Sequence, residues 1–194
     1  TELVSLTFRT IGLGLVSATI IIIFSLILTL ANRQNNNLIM RLVTFPAGIG
    51  YAVPGTVLAI SLITISNSKY LFLAVGILIW GYVVRFLTIS KGSLESGFER
   101  ISPSIDEAAK GLGSNWLGII KKIHFPLLQG PILVGSLLVF VDIIKELPIT
   151  FILRPFDFDT LSVRIYQYAG DERMAEAILP ALFITILGLS LIHI

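Results

Sequence analysis

Residues 11–31, IGLGLVSATIIIIFSLILTLA, decide the fold: they are 21 consecutive residues without a charge. About 20 apolar residues in a helix match the hydrocarbon thickness of a bilayer. The rest of the chain agrees. Of 194 residues, 55% are hydrophobic and only 13% charged, and the mean hydropathy is +0.90. Soluble domains carry roughly 25% charged residues. A soluble fold of this size also cannot hide so much apolar surface from water. The sequence therefore predicts an all-α, polytopic transmembrane helical bundle. The net charge of +2 and pI near 9.0 come from basic residues scattered between apolar runs. That placement speaks of topology and gives no reason to expect nucleic acid. The chain has no cysteine, which excludes a disulfide framework, thiolate metal sites and a cysteine nucleophile.

Four more stretches bring the expectation to about five membrane helices. Leu42 to Ile65 is uncharged but carries Pro46, Gly48, Gly50, Pro54 and Gly55, so it is expected to kink or break. Such breaks persist in a membrane only where protein or a water-filled cavity covers the freed backbone groups. The cluster reads first as close helix packing, and second as a bend lining a pathway. Leu71 to Ile89 follows, with Arg85 expected to snorkel to the interface. Pro126 to Ile144 is the fourth, and Ile178 to Gly188 begins a fifth. The final segment, Leu189-Ser190-Leu191-Ile192-His193-Ile194, reads as the translation of a sequencing adaptor. The transmembrane domain is accordingly taken as residues 1–188, with 189–194 set apart from it.

Charge bias sets orientation. Arg33 and Arg41 flank the first connection, and Lys91, Arg100, Lys110, Lys121 and Lys122 crowd the third. The second, Ser66 to Tyr70, has only Lys69, and the fourth, 145–177, has four basic and six acidic residues. Basic loops stay in the cytoplasm. Loops one and three are thus expected inside, two and four outside.

The third loop, Ser90 to Phe125, is too long for a simple connector. Ser102-Pro103 reads as a helix cap followed by proline at the first helical position. Ser104 and Glu107 have capping-box spacing, and Asp106 and Glu107 suit a first turn. Gly111 and Gly113 can end the helix with positive φ. Ser114 or Asn115 can cap a second short helix, Trp116 to Ile123, before Pro126 opens the next span. Two short helices at a glycine hinge are expected, with Trp116 and Phe125 offering apolar surface. On these features alone, a docking surface and an amphipathic helix resting on the membrane remain equally open.

The spacing within this loop is informative. Glu107-Ala108-Ala109, three residues, Gly113, nine residues, Ile123, one residue and Phe125-Pro126 follow in order. The pattern resembles the EAA loop of binding-protein-dependent ABC importer permeases, departing only at Phe125, where leucine is usual. The resemblance implies a type I importer permease fold, with residues of about 100–126 as cytoplasmic coupling helices. Glu107, Ala108, Ala109, Gly113, Ile123 and Pro126 would contact or shape the joint with an ATPase. It also implies partners: a cytoplasmic ATPase dimer, a periplasmic or lipid-anchored substrate-binding protein, and a second permease half or a homodimer. The setting would be a bacterial inner membrane.

An external segment of about 145–177 carries Lys145-Glu146-Leu147-Pro148 and Arg154-Pro155-Phe156-Asp157-Phe158-Asp159-Thr160-Leu161. It is similar to the same region of ferric-iron permeases, and the likeness covers most of residues 40 to 188. The chain would then be the C-terminal half of a fused permease, or a half-size subunit. Thiamine, sulfate and polyamine permeases share the coupling loop and stay as alternative substrates. Asp142, Lys145, Glu146 and Pro148 are candidates for an outer gate. An Asp142–Lys145 pair is expected from their spacing, and simple pairing at a helix end is the plainer reading. Asp157 and Asp159 are weak candidates as metal ligands, so no metal site is expected. The sequence has no phosphate-binding Gly-x-x-x-x-Gly-Lys-Ser/Thr loop, since Lys91-Gly92-Ser93 has the wrong order. No Ser/His/Asp set is evident either. The chain is therefore expected to be no enzyme and to carry no cofactor, with ATP and magnesium on the partner. His124 reads as merely interfacial. A gradient-driven carrier would need ionisable residues along the spans, and the sequence places almost none at mid-depth.

Overall fold

The computed structural model describes residues 2–35, 37–66 and 71–192. The second connection, from Ser66 to Tyr70, falls largely outside the described residues, as do Asn36 and His193–Ile194. Every regular element among the described residues is helical.

Helix α1, Glu2–Gln34, has no internal proline. Four of its hydroxyls are satisfied without water, since Thr7, Thr10, Thr19 and Thr29 each donate to the carbonyl four residues back, whereas those of Ser17 and Ser25 are buried with no hydrogen-bond partner among the described residues. At 1.5 Å per residue its 33 residues measure about 50 Å, well beyond a hydrocarbon layer of about 30 Å. Both ends therefore stand in the interfaces.

The second expected span is broken. Helix α2, Leu38–Ile49, is capped by Asn37, whose side chain accepts from the Met40 N–H. It gives way to a 3₁₀ turn, Gly50–Ala52, and then to α3, Gly55–Ser66, bent by 118° from the α2 direction. Helix α4, Leu71–Glu99, runs ten residues past the expected end at Ile89. Lys91 and Glu95 pair one turn apart at 2.6 Å along that extension. Ser93 donates to the Pro131 carbonyl at 2.8 Å. The first part of the expected third loop is thus helix.

Helix α5, Pro103–Gly111, and α6, Trp116–Ile119, form a hairpin at one end of the bundle. A π-helical turn, Ile120–His124, joins α6 to α7, Phe125–Ile144, so Trp116–Ile144 is one continuous rod. The second short helix expected from sequence is therefore not separate. Proline at position 126 has no N–H and would crowd the carbonyl four residues back. The widened turn, with Phe125 N–H bonded to the Ile120 carbonyl, accommodates it. Beyond α7 come α8, Pro148–Leu153, α9, Leu161–Gly170, and α10, Met174–Ile192.

Among the described residues three helices are long and apolar enough to cross a membrane, or four where the bent α2–α3 pair is counted as one broken span. The apolar stretch Met174–Ser190 in α10 is shorter. Side-chain contacts fix the directions. Arg33, at the end of α1, donates to the Ile101 carbonyl just beyond α4, so α1 and α4 finish at the same face. The α2–α3 pair must then carry the chain back across between them. Helix α7 starts at that same face. It ends where Phe140 and Ile144 pack on Gly14 of α1. Close crossings use small residues, as at Gly97 against Pro131. Tyr82, Leu78, Ile21, Val139 and Ile149 are fully buried at the shared core. Leu127, Leu133, Leu138, Ile178, Leu182 and Ile186 are exposed on the outside of α7 and α10. An outward apolar belt of this kind suits lipid contact. The chain is an all-α, multi-pass membrane protein.

Candidate functional site

The hairpin at the Gln34 end is built by local chemistry. Ser102 caps α5 by accepting from the Ser104 N–H, with Pro103 in the first turn. Ser104 lies inside the helix, so the Ser104–Glu107 capping box does not form. At the other end Gly113, and not Gly111, adopts a left-handed φ, of 84°. Its N–H meets the Lys110 carbonyl at 2.9 Å, and the Ser114 N–H meets the Ala109 carbonyl at 2.9 Å. This is a Schellman turn. Gly111 remains helical. Asn115 then caps α6 through the Gly118 N–H at 2.8 Å.

The expected coupling residues separate by face. Glu107, Ala108, Gly113 and Pro126 are exposed, Ala109 is buried, and Ile123 is half-buried. Glu107 has no partner among the described residues. Leu112 and Leu117 stand out into solvent at 88% and 65% exposure. Trp116 does not present itself outward as expected. It packs edge-on to His124 with ring centroids 5.4 Å apart and lies beneath the Lys110 ammonium. Phe125 does lie exposed.

Beneath the hairpin sits a cluster that sequence reasoning missed. Asp106 is buried and accepts from two donors on different elements. Arg33 Nε of α1 lies 2.9 Å from Oδ2, and His124 Nε2 lies 2.8 Å from Oδ1. Arg33 also donates to the Ile101 carbonyl at 2.9 Å and stacks over Phe98. Burial works to raise the Asp106 carboxyl. The hydrogen bonds and charges of His124 and Arg33 outweigh it and hold the group below its ordinary value. An ionised carboxylate only accepts, so His124 Nε2 carries the proton that it shares. His124 is 1% exposed, wedged between Phe98 and Trp116. It is a buried structural donor and not the interfacial residue expected.

A second group surrounds the helix break. Thr88 donates to the Ala47 carbonyl at 2.7 Å and Arg85 Nη1 to the Val53 carbonyl at 2.7 Å. Tyr82 meets the Thr150 hydroxyl at 2.6 Å. These three residues recur at spacing three along α4 and so share one face. Arg85 does not snorkel. It sits fourteen residues before the end of α4, stacked over Tyr51 at 5.5 Å. Thus two carbonyls at the break, those of Ala47 and Val53, are satisfied by α4 where lipid could not satisfy them. Close packing at the break rests on Gly50 and Gly55, whereas Gly48 touches nothing.

The outer-gate candidates do not form one group. Asp142 and Lys145 pair at 2.7 Å, as their spacing suggests, with Lys145 largely exposed. Glu146 turns inward instead. It is buried, its Oε1 accepts from the Ile149 N–H at 3.1 Å, and it faces the start of α3 at Gly55. The carboxylate thus lies at the N-termini of two helices, where their dipoles favour it. Pro148 opens α8 and packs against Gly55. Asp159 is bound by Arg154 and Arg164, and the Asp157 carbonyl accepts from Arg9. Among the described residues no group of three His, Cys, Asp or Glu could hold a metal ion.

No family model matches the chain. Over 138 residues it is 28% identical to the Fe(3+)-transport system permease protein FbpB 2 of Haemophilus influenzae, a match that covers 70% of this chain. The aligned stretch is 27% of that protein, so the chain spans about a quarter of its relative's length. Across that stretch, the chain is similar to this permease protein.

Proposed function

We propose that the chain is the membrane-spanning permease unit of an ATP-driven importer, with ferric iron as its cargo. One observation carries the reading. The Glu107–Pro126 segment folds as an exposed hairpin whose Glu107, Ala108, Leu112, Gly113 and Leu117 face outward at one end of the bundle. Its spacing is that of the EAA loop. Exposed leucines among small residues suit a protein groove better than bulk water, and the Glu107 carboxylate, unpaired among the described residues, is free to meet a basic group of the partner. In this reading an ATPase dimer at the basic face closes on ATP and displaces the paired hairpins of two permease halves. The bundle then opens toward a loaded binding protein on the opposite face of a bacterial inner membrane. ATP chemistry belongs to the partner. The bundle alternates between two states, and each ligand shifts it only by differential affinity. Iron rests on the relative named above, and other small solutes keep the same mechanism.

The test is co-purification with the ATPase from native membranes. Glu107→Lys and Gly113→Trp should each abolish capture, and undiminished capture by both would sink the assignment. A second reading draws on Arg85 and the buried Glu146, which are ionisable groups within the bundle of the kind a gradient-driven carrier uses. Uptake into liposomes under an ion gradient without any ATPase would favour it.

A further inference from the structure

Deepening the permease reading, we infer that Asp106 is the positioning residue that fixes the coupling helix α5 onto α1 and the start of α7 together. The backbone of α5 meets α6 across their joining turn and packs on no spanning helix as extensively as the spanning helices pack on one another. What joins it to the bundle is side-chain chemistry. One carboxylate receives Arg33 from the end of α1 and His124 from the turn that opens α7. Through Arg33 it also reaches the Ile101 carbonyl beyond α4. Two spanning helices therefore meet on one pair of oxygens, and the end of a third is tied in through Arg33.

The geometry of this node suits transmission. Both bonds end on a charged acceptor, are short, and are shielded from water, which makes them stronger than bonds between neutral groups. The donors are themselves held. Phe98 and Trp116 flank the His124 ring, and Phe98 also underlies Arg33. A displacement of α5 cannot be absorbed by the hairpin alone, because α5 would drag the ends of α1 and α7 with it.

The chain contains no cysteine, so two introduced thiols would be the only ones. Ser104→Cys on α5 and Gln34→Cys on α1, both exposed, take spin labels for distance measurement. The permease is examined alone and in its ATPase complex. One narrow distance, the same without nucleotide and with ATP, is expected in the parent. Asp106→Asn and His124→Ala should broaden it, while His124→Gln, which keeps a donor at similar reach, should restore it. In liposomes, transport per ATP hydrolysed should fall about tenfold in Asp106→Asn, within the usual range of coupling between sites. ATPase capture should be retained. A distribution in Asp106→Asn as narrow as the parent's overturns the inference. So does loss of capture and of transport in parallel, which marks a merely structural residue. If the parent captures no ATPase, the permease reading fails, and the spin-label widths of the permease alone still decide whether Asp106 holds α5.

Discussion

A Cβ on Gly50 would stand 1.8 Å from the carbonyl oxygen of Val84. No real contact is that short, so the broken span rests backbone to backbone on α4. Gly50→Ala must push the 3₁₀ turn away and disturb the neighbouring Arg85–Val53 bond. Overpacking of this kind costs about 1–3 kcal/mol, and a backbone partner cannot yield as a side chain can. Gly12→Ala in α1 meets nothing within 4 Å and serves as control. It should be neutral or stabilise by about 0.5–1 kcal/mol. Thermal inactivation of the detergent-solubilised protein separates the two.

Gly113 poses the opposite problem. Its φ of 84° is unfavourable for other residues, yet space around it is open. Substitution should therefore cost roughly 1–2 kcal/mol of local strain, without a clash. Asparagine should be tolerated best, then alanine, with valine worst. Limited proteolysis at the hairpin reads that order.

Asp106 links the hairpin to pH. Its folded value lies below the ordinary 3.8. A depressed carboxyl contributes stability that is complete above its unfolded value and is lost as pH falls through the folded one. The parent should lose stability as pH drops below about 4, and Asp106→Asn should lose less over that window. Melting temperature against pH, taken for both proteins, measures the difference in slope.

Arg85 and Thr88 make a graded pair. Arg85→Ala leaves the Val53 carbonyl without its donor at the break, which should cost about 1–3 kcal/mol. Thr88→Val frees only the Ala47 carbonyl and should fall near the lower end of that range. Equal effects on thermal stability would contradict the larger role given to Arg85.

Tyr82 and Thr150 offer a double-mutant cycle. Thr150 already donates to the Glu146 carbonyl at 2.8 Å, so Tyr82 is the donor in their contact. Tyr82→Phe should cost about 1 kcal/mol, and Thr150→Val more, because it strands a fully buried phenol. The two together should cost less than their sum.

The hairpin was the most legible part of the chain. Ser102, Gly113 and Asn115 act on backbone groups two to five residues away, so sequence spacing alone reveals them. The Ser104 box failed because Ser102 with Pro103 offered an earlier start. The membrane class was equally plain, since 21 uncharged residues leave no soluble alternative. His124 and Arg85 were misread for one shared reason. A lone polar residue in an apolar run looks interfacial unless its partner is known. Their partners lie 18 and 32 residues away.

The sequence by itself determined that this chain is a bundle of membrane helices bearing one capped, glycine-turned hairpin. Those features come from local hydropathy and local hydrogen bonding. Only the tertiary structure decided that the second span breaks against α4, that Glu146 turns away from Asp142 and Lys145, and that Asp106 gathers Arg33 and His124. Each of these depends on which distant backbone or side chain can satisfy a polar group where water cannot.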